Sequence, residues 1–444
     1  MRRTDCCVVG GGPAGMTLAV LLARAGVAVT VLEKHHDFLR DFRGDTLHSS
    51  TLTLLDELGL GERLAAVPHR LLPHIAWREP ESGSQLVVEF GVLPGPHKHI
   101  AMVPQWDFLE MLAGAGREEP TFDLRMGVEA TGLVREHGRV VGVRYREDGG
   151  PEAELRASVT VACDGRDSQI RAASGLRVRE FGVPLDVWWF RLPRREGDPE
   201  GLNARLGAGG LVAVIDRGSY FQLGFLIRKD SDARVRAQGI EAFRARVAAL
   251  MPELADRVDT VTDWDDVKLL TVRLNRLTRW WCPGLLCIGD AAHAMSPIGG
   301  VGVNLAIQDA VATARYLAGP LRRGDVPDRQ LARVQARRWS PTLVMQSVQR
   351  LVHQFVIKPR VAREFGRPRA RRIVVACLGP QLGRLRPILA YLIAIGLFPE
   401  HAPAFARRAA RPPQPPPGSG SDTHTTFTPR RGDGACLPRR EGNG

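Results

Sequence analysis

Three short motifs, far apart in the chain, combine residue types that can hold a nucleotide. The first is Gly10-Gly11-Gly12-Pro13-Ala14-Gly15, which follows the apolar run Cys6 to Val9 and opens a helical pattern. This order of strand, turn and helix is what a Gly-x-Gly-x-x-Gly fingerprint requires. Gly10 makes the tight turn, Gly12 lets the backbone approach a diphosphate, and Gly15 lets the helix pack on the strand. The positive helix end faces the phosphate charge, so a dinucleotide site is predicted here.

An acidic residue ends the next predicted strand and narrows the choice of nucleotide. That strand covers residues 27–32 and leads to Glu33 and then Lys34. The spacing from Gly10 to Glu33 is close to the gap of about 20 residues at which a carboxylate accepts hydrogen bonds from a ribose diol. A 2′-phosphate would be repelled by that carboxylate, which disfavours NADP as the occupant. FAD and NAD remain.

The other two motifs extend the site to a flavin. Cys163-Asp164-Gly165 follows a predicted buried strand over 158–162, and Gly289-Asp290 follows another. Asp290, at its strand end, is suited to accept hydrogen bonds from ribityl hydroxyls. Between Pro297 and Gly302 three glycines precede a predicted helix, so backbone amides and a positive helix end can approach the flavin pyrimidine edge, where reduction places negative charge. Asn304, in the first turn of that helix, is a further candidate donor. His293, beside this stretch, stays open between a structural and a functional role. Together with the first motif, this pattern indicates FAD.

The elements that carry the motifs predict an α/β fold. A Rossmann-like FAD-binding domain, with strands and helices alternating, is interrupted twice by a strand-rich substrate domain whose segments have the pattern of antiparallel sheet. The predicted segments of the first domain are 1–70, 103–177 and 272–345, and those of the second are 71–102 and 178–271. A helical region is expected over 346–410. Residues 411–444 are rich in Pro, Gly, Ser and Thr, and we expect them to be disordered.

Aromatic residues on one strand of the second domain are candidates for the wall of an aromatic-substrate pocket. Trp188 and Phe190 point to one face of the predicted strand and Trp189 to the other, so at least one of them belongs to an ordinary core. The four tyrosines show no spacing that picks out a phenol activator. The sequence therefore assigns no catalytic base and no substrate contact.

The net charge of +13 comes mostly from one stretch, since Arg350 to Arg411 holds thirteen basic and two acidic residues. Its densest cluster, 358–372, contains Phe365 as its one aromatic residue, so nucleic acid is not expected as a partner. Basic residues followed by apolar segments over 358–398 allow weak, peripheral contact with an anionic membrane. A helical cap with a solvated basic face is the interpretation that the pattern favours, and prolines and arginines interrupt any spanning helix.

The cysteines and the N-terminus predict a cytoplasmic protein. Seven cysteines include no Cys-x-x-Cys pair, and Cys6, Cys163 and Cys287 lie in apolar runs where a small buried thiol is expected. No metal site is predicted. Residues 1–3 lead directly into the first predicted strand, so no signal peptide is assigned.

In this order, the motifs resemble those of the FAD-dependent aromatic hydroxylases, the single-component flavoprotein monooxygenases with the p-hydroxybenzoate hydroxylase fold. The resemblance spans about residues 4–400 and is most specific in the first motif and over 162–171 and 289–304. It implies that the Asp164-Gly165 segment serves both FAD and a passing nicotinamide cofactor, and that Arg43 and Gln105 contact the cofactor. The predicted cofactor-binding residues are Gly10, Gly12, Pro13, Ala14, Gly15, Glu33, Lys34, Arg43, Gln105, Asp164, Gly165, Arg171, Gly289, Asp290, Pro297, Gly299, Gly300, Gly302, Val303 and Asn304.

The resemblance also implies a reaction. NADH or NADPH would reduce FAD, O2 would add at the flavin C4a, and the terminal oxygen of the hydroperoxide would pass to an aromatic or polycyclic small molecule. Residues 188–193 lack the lysine and the Trp-x-Trp-x-Ile-Pro context of halogenase relatives, which disfavours halogenation. Two alternatives stay open, because the same fold serves other reactions. They are a FAD-dependent reductase or dehydrogenase acting on a quinone or isoprenoid, and a non-catalytic flavin-binding protein.

Overall fold

The computed structural model describes residues 2–39, 45–78, 85–198, 201–207, 210–357 and 386–409. In chain order its strands are β1 (Arg2–Val9), β2 (Val29–Glu33), β3 (Thr46–Leu47), β4 (Arg70–Leu72), β5 (His74–Arg78), β6 (Gln85–Glu89), β7 (Ile100–Met102), β8 (Phe122–Met126), β9 (Val128–Glu136), β10 (Arg139–Glu147), β11 (Ala153–Ala162), β12 (Val178–Phe181), β13 (Leu185–Pro193), β14 (Leu202–Gly207), β15 (Gly210–Asp216), β16 (Tyr220–Arg228), β17 (Lys268–Leu270), β18 (Leu274–Leu277), β19 (Trp281–Cys282) and β20 (Leu285–Cys287).

Nine α-helices of the described residues lie between groups of these strands or after them, and the predicted α/β class is confirmed. They are α1 (Pro13–Arg24), α2 (Ser49–Glu57), α3 (Gly61–Ala66), α4 (Gln105–Arg117), α5 (Gln169–Ser174), α6 (Asp232–Arg236), α7 (Ile240–Leu250), α8 (Val301–Arg322) and α9 (Asp328–Val352). Short 3₁₀ segments cover Pro252–Thr260, Trp264–Asp266, Gly289–Ala291 and Ala404–Ala406, and a π-helical turn covers His353–Ile357. Residues 386–394 are also helical.

One sheet carries all three nucleotide motifs. Its strand order is β19-β20-β11-β1-β2-β8, with β10 and β9 joined antiparallel beside β11. The parallel pairs place Val9 opposite both Ala162 and Leu32, and Cys287 opposite Ala162. Because parallel strands end at one edge of a sheet, the residues that follow β1, β11 and β20 meet there, where α/β folds bind their ligands.

Helices cover this sheet, which explains its continuous apolar strands. Residues 6–9 of β1 are all buried, without the alternation of a half-exposed strand. The inward residues of α1 run from Ala14 to Ala23, and α8 packs alongside α1. The buried side chains of these elements form one core beneath the site.

The second sheet has the order β17-β13-β16-β15-β14-β5-β6 and is antiparallel apart from the β14–β5 pair. Its strands come from the two segments that were predicted to form the substrate domain. Two smaller sheets, β12-β18 and β3-β7-β4, pair strands across the predicted domain boundaries. The division into domains therefore stays a prediction.

The C-terminal part begins with α9, which contains the buried Pro341. The buried Ala390 and Ala394 of the helix 386–394 pack in a cluster with Ile75 and Phe90 of the second sheet's region. The predicted tail 411–444 and most of the predicted membrane-contact region 358–398 lie outside the described residues. Among the described helices, none is both long and apolar enough to cross a membrane.

Candidate cofactor and active site

The turn after β1 touches the turn after β11 through Gly10. Gly10 has a φ of +102°, and a Cβ built on it would lie 2.5 Å from the carbonyl oxygen of Cys163. Any side chain here would therefore collide with the backbone of Cys163, and the backbone could shift only at a cost in stability. The contact brings the first two predicted motifs together at the sheet edge.

The start of α1 combines a tight contact with an open space. A Cβ on Gly15 would lie 2.0 Å from the carbonyl oxygen of Gly10, so the helix can approach the strand only with glycine there. At Gly12 the corresponding Cβ would have no atom of the described chain within 4 Å. Pro13 is in the first turn, and no side chain of the described residues caps this helix end. The backbone amides of α1 thus face a space that a diphosphate can occupy.

Glu33 lies buried at the end of β2, beside the glycine turn. Its Oε2 accepts a hydrogen bond from the backbone N–H of Gly11 at 2.8 Å, and its Oε1 accepts from the backbone N–H of His35 at 3.1 Å. The His35 ring Nδ1 lies 2.5 Å from the same Oε1. These contacts fix the carboxylate at the position where a ribose diol is expected. Lys34, the next residue, is exposed.

Asp164 organises the turn after β11. Its carboxylate accepts hydrogen bonds from Ser168 Oγ at 2.5 Å and from the backbone N–H of Ile170 at 3.1 Å. Burial raises the pKa of Asp164, although both hydrogen bonds act to lower it. The side chain therefore shapes the start of α5, and its predicted contact with the cofactor stays a prediction.

Arg171 joins the second motif to the third. It is buried, and its Nη1 donates to the backbone carbonyl oxygens of Asp290 at 3.4 Å and Ala291 at 3.2 Å. Its Nη2 donates to the carbonyl oxygen of Arg166 at 2.6 Å. The guanidinium thus binds the backbone segment that follows β11 and the one that follows β20.

Asp290 itself points away from the core. Its side chain is 32% exposed, and its Oδ2 lies 3.6 Å from Arg166 Nη2. The neighbouring Gly289 packs closely, since a Cβ on it would lie 3.1 Å from the Cβ of Ala306 and 3.4 Å from that of Ala14. The acid is therefore presented at a turn wedged between α1 and α8, in agreement with its predicted location.

A buried ionic network on α8 and α9 contacts the turn at Gly289. Asp309 on α8 accepts hydrogen bonds through Oδ2 from the backbone N–H of Gly289 at 3.1 Å and through Oδ1 from Arg338 Nε at 3.0 Å. The His293 Nε2 lies 2.6 Å from the same Oδ2. Burial alone would raise the pKa of Asp309, but the charges and hydrogen bonds of His293 and Arg338 lower it below its usual value.

Sequence reasoning missed Asp309 and Arg338, and left His293 open between a structural and a functional role. The available signal was an acid and an arginine on otherwise inward-facing positions of two helices, since such groups are buried only when paired.

The loop before α8, residues 298–300 and here called the flavin loop, belongs to the segment that was predicted to approach the flavin. Gly299 and Gly300 both have positive φ, and a Cβ on Gly300 would lie 2.5 Å from Thr46 Oγ1. No side chain among the described residues caps α8, so its first amides are available. Gly302 and Val303 lie partly exposed in the first turn. Pro297 immediately precedes this loop and is also partly exposed.

Asn304 is engaged within the protein. Its Oδ1 accepts from the backbone N–H of His48 at 2.8 Å and from Thr51 Oγ1 at 2.7 Å, and its Nδ2 donates to the carbonyl oxygen of Thr46 at 3.0 Å. The side chain thus fixes β3 and α2 on α8. The flavin contact predicted for it stays a prediction.

Two further predicted cofactor-binding residues are Arg43 and Gln105. Arg43 lies outside the described residues. Gln105 begins α4, and its backbone N–H donates to the carboxylate of Asp45, which also forms a buried ion pair with Arg217 of the second sheet. Burial raises the pKa of Asp45 to about 6, against the lowering effects of Arg217 and the Gln105 amide.

These features fit FAD. The open space at Gly12, the uncapped ends of α1 and α8, and the buried Glu33 suit its diphosphate, its flavin ring and its adenosine ribose. Residues 3–346 match a protein family described as FAD binding domain. The chain is also 36% identical over 380 residues to 6-methylpretetramide 4-monooxygenase from Streptomyces rimosus, an overlap that covers 84% of this chain and 89% of the relative.

The chain belongs to the FAD-dependent aromatic hydroxylases. A second relative is 12-dehydrotetracycline 5-monooxygenase/anhydrotetracycline 6-monooxygenase from Streptomyces rimosus subsp. rimosus, 30% identical over 366 residues, with 76% of this chain and 66% of that protein covered. The solved structure of a myxobacterial FAD-dependent chondrochloren halogenase shares the fold, with a TM-score of 0.72, 21% identity, and 92% and 99% of the two chains covered. The predicted FAD cofactor and monooxygenase class of this aromatic hydroxylase are confirmed.

The second sheet of the aromatic hydroxylase divides the predicted aromatic cluster between its faces. Trp188 and Phe190 are fully buried and pack on Phe243 of α7, with ring centroids 5.5 and 5.0 Å apart. They belong to a core and cannot wall a pocket. Trp189 points to the opposite face, where it packs against a buried apolar cluster that Ile298 of the flavin loop also contacts.

Proposed function

We propose that this monooxygenase hydroxylates a polycyclic aromatic small molecule, with NADH or NADPH as transient reductant and O2 as oxidant. The observation that carries the proposal is the 36% identity, over nearly the whole of both chains, to the pretetramide monooxygenase. When bound, FAD takes reducing equivalents from the nicotinamide and activates oxygen. The protein binds and orients both partners, excludes water and stabilises charge.

The proposed substrate surface lies between the second sheet and the flavin loop. Trp189, Leu211, Leu226 and Ile298 all pack against one buried apolar cluster there, and all four side chains are only partly buried. A flat, apolar ring system can stack on such a surface next to the flavin.

The predicted cofactor residues keep their proposed roles. Glu33 would accept from the adenosine ribose, the α1 amides at Gly12 would bind the diphosphate, and Asp290 would accept from the ribityl chain. The uncapped start of α8 would face the flavin ring and stabilise its reduced, anionic form. We retain the division into a discontinuous FAD domain and an inserted substrate domain as part of the same proposal.

Reduction followed by oxygen labelling tests the reaction. The enzyme is reduced anaerobically by NADH or NADPH across a panel of polycyclic phenols, labelled O2 is admitted, and products are examined by mass spectrometry. We expect the correct aromatic to accelerate flavin reduction and to acquire one labelled oxygen. Efficient anaerobic turnover with a quinone, and no label in any product, would instead establish a reductase. Asp290→Ala is the control, and it should lose FAD and either activity.

Location and membrane contact complete the proposal. We place the enzyme in the cytoplasm and retain weak, reversible attachment to anionic membranes through 358–398 as its less favoured mode. The described end of that region supports it, because Ile388 and Phe398 are 55% and 52% exposed. Co-sedimentation with vesicles containing phosphatidylserine, at low and high salt, tests this: no binding at low salt removes the idea.

A further inference from the structure

Three arginines surround one aromatic ring at the edge of the small β12-β18 sheet. The guanidinium carbons of Arg179, Arg276 and Arg350 lie 5.4, 5.5 and 4.9 Å from the ring centroid of Phe181. These side chains come from β12, β18 and the end of α9, so three separate elements bring like charges to one place.

No acid of the described residues forms an ion pair with this arginine cluster. Glu180, the nearest acid in the chain, accepts instead from Asn275 Nδ2 at 2.9 Å. Arg276 is 6% exposed and donates through Nη1 to the neutral Gln346 Oε1 at 2.9 Å. Burial, followed by the charges of Arg179 and Arg350, lowers the pKa of Arg276. Three clustered arginines that form no ion pair with an acid of the described residues are an arrangement that a bound anion stabilises.

The arginine cluster borders an open cavity of about 700 Å³. Phe181, Arg179 and Arg350 line it together with His353, Gln354 and one acid, Glu180, whose carboxylate accepts from Asn275. His353 is 3% exposed, and its Nδ1 has no hydrogen-bond partner among the described residues. This buried polar atom is a second, independent sign of a ligand, because such atoms are normally paired. His353 also begins a π-helical turn, an irregularity that is frequent at functional sites.

The same cavity is connected to the flavin loop. The His353 Nε2 lies 2.9 Å from Ser296 Oγ. Gln349 accepts from the backbone N–H of Ser296 at 3.1 Å and donates to the carbonyl oxygens of Ser296 and Ile298, each at 2.9 Å. Ser296 and Ile298 directly precede the glycines of the loop. A ligand in the cavity would therefore lie next to the segment that is proposed to hold the flavin ring.

We propose that this cavity binds an oxyanion carried by a ligand that reacts at the flavin. Planar guanidinium groups pair with phosphate or carboxylate oxygens in two-point contacts, and Phe181 offers a ring surface to an adjoining aromatic group. Two ligands of the proposed reaction can bring such an oxygen: the nicotinamide dinucleotide through its diphosphate, and the aromatic substrate through an ionised group. This assignment of the ligand rests on the proposed function, whereas anion binding itself does not.

Direct binding tests the site without turnover. Calorimetry on the FAD-loaded protein, with inorganic diphosphate as the probe, compares the wild type with the double variant Arg179→Gln/Arg350→Gln. Both arginines are exposed, so the variant should fold. Arg323→Gln, an exposed arginine after α8, is the matched control. We expect the double variant to bind diphosphate at least tenfold more weakly and the control to match the wild type. Equal affinities in all three proteins would overturn the proposal, whether or not the enzyme hydroxylates anything.

Two further arms identify the source of the anion. Anaerobic stopped-flow reduction gives the apparent Kd for NADH and NADPH, and the flavin absorbance change gives the Kd for 1-hydroxy-2-naphthoate and for uncharged 1-naphthol. A tenfold weaker dinucleotide Kd in the double variant supports the diphosphate. A tenfold weaker Kd for the naphthoate, with that for naphthol unchanged, supports the ionised aromatic. If neither Kd changes relative to Arg323→Gln, the cavity has no role at the flavin and the proposal is wrong.

Discussion

Arg171 Nη1 donates to the backbone carbonyl oxygen of Ala291 over 3.2 Å, and this bond ties the second nucleotide motif to the third. Arg171→Ala leaves carbonyl oxygens on both motifs without their buried donor. We expect a loss of about 1–3 kcal/mol in the free energy of unfolding and an FAD Kd raised by about tenfold. Flavin fluorescence titration and urea unfolding measure the two effects. Arg171→Lys should recover only part of either, because one ammonium cannot span three carbonyls, and an unchanged FAD Kd in Arg171→Ala would disprove the link.

Substitutions at two glycines of the first motif should have different effects, one on folding and the other on FAD binding. Gly15→Ala places a Cβ 2.0 Å from the Gly10 carbonyl oxygen, so the strand and helix must separate and the protein should be strongly destabilised. At Gly12→Glu the Cβ meets no described atom within 4 Å, so the variant should fold, but it puts bulk and negative charge where the diphosphate is proposed to bind. We expect apoprotein with a near-normal far-UV circular dichroism spectrum.

Gly114→Ala is the control for these substitutions, because Gly114 lies inside α4 with no described atom near its Cβ position. It should bind FAD normally and gain up to about 1 kcal/mol of stability. Normal FAD binding by Gly12→Glu would contradict the assignment of the site.

The pair of Asp309 and Arg338 is fully buried, so breaking it should be costly. Asp309→Asn removes the nearer of the two acids that pair with Arg338 and leaves only Glu400, 3.9 Å from its Nη1, so a loss of about 3–5 kcal/mol is expected. Arg338→Met should be similarly destabilising, and the double variant should lose much less than the sum of the two. Urea unfolding of all four proteins gives this cycle. Additive losses would show that the two side chains do not act together.

The sheet edge that holds the cofactor could be predicted from the sequence, because its signals are local. Glycine spacing, an acid at the end of β2 and apolar runs before each motif all follow from neighbouring residues. Even so, the observed ends of strands and helices differ from the predicted ones where contacts with distant residues determine them. We predicted a strand over 158–162, yet β11 begins at Ala153 because β10 pairs with it there, and α8 begins at Val301 directly after the left-handed Gly300.

The support of the site could not be predicted, because it depends on contacts between distant residues. Asp309 is paired with Arg338 on another helix, and Asn304 is occupied by His48 and Thr46, which lie over 250 positions away. The faces of β13 were predictable from alternation alone. Which face meets the flavin loop was not, since that depends on how the two sheets pack.

The raised pKa of Asp45 predicts a pH dependence. A carboxyl whose pKa is higher in the folded chain than in the unfolded chain favours folding while protonated. Its contribution is therefore present below about pH 4 and is lost as the pH rises through its folded pKa of about 6. As the pH rises between these two values, the free energy of unfolding should consequently fall more in the wild type than in Asp45→Asn. The difference between the two falls should be about 3 kcal/mol at most.

Urea titrations at several pH values measure this difference. Arg217→Gln removes a charge that lowers the pKa of Asp45, so the same transition should move to higher pH. Parallel pH profiles for the wild type and Asp45→Asn would show that Asp45 is not the group responsible.

The two faces of β13 should respond differently to substitution. Phe190→Ala removes a fully buried ring that packs on Phe243, so we expect a loss of about 3–5 kcal/mol in stability, with the binding of aromatic ligands largely retained in the folded fraction. Trp189→Leu changes the face that meets Ile298 and should weaken aromatic binding several-fold at a smaller cost in stability. Gly224→Ala offers an independent probe, because its Cβ would lie 2.9 Å from the Trp189 ring and must displace the ring without deleting it.

Flavin absorbance titrations with 1-naphthol, alongside urea unfolding, separate the effect on ligand binding from the effect on stability. If Phe190→Ala changes the Kd for naphthol more than Trp189→Leu and Gly224→Ala do, the substrate lies on the α7 side of the sheet and the proposed surface at Ile298 is wrong.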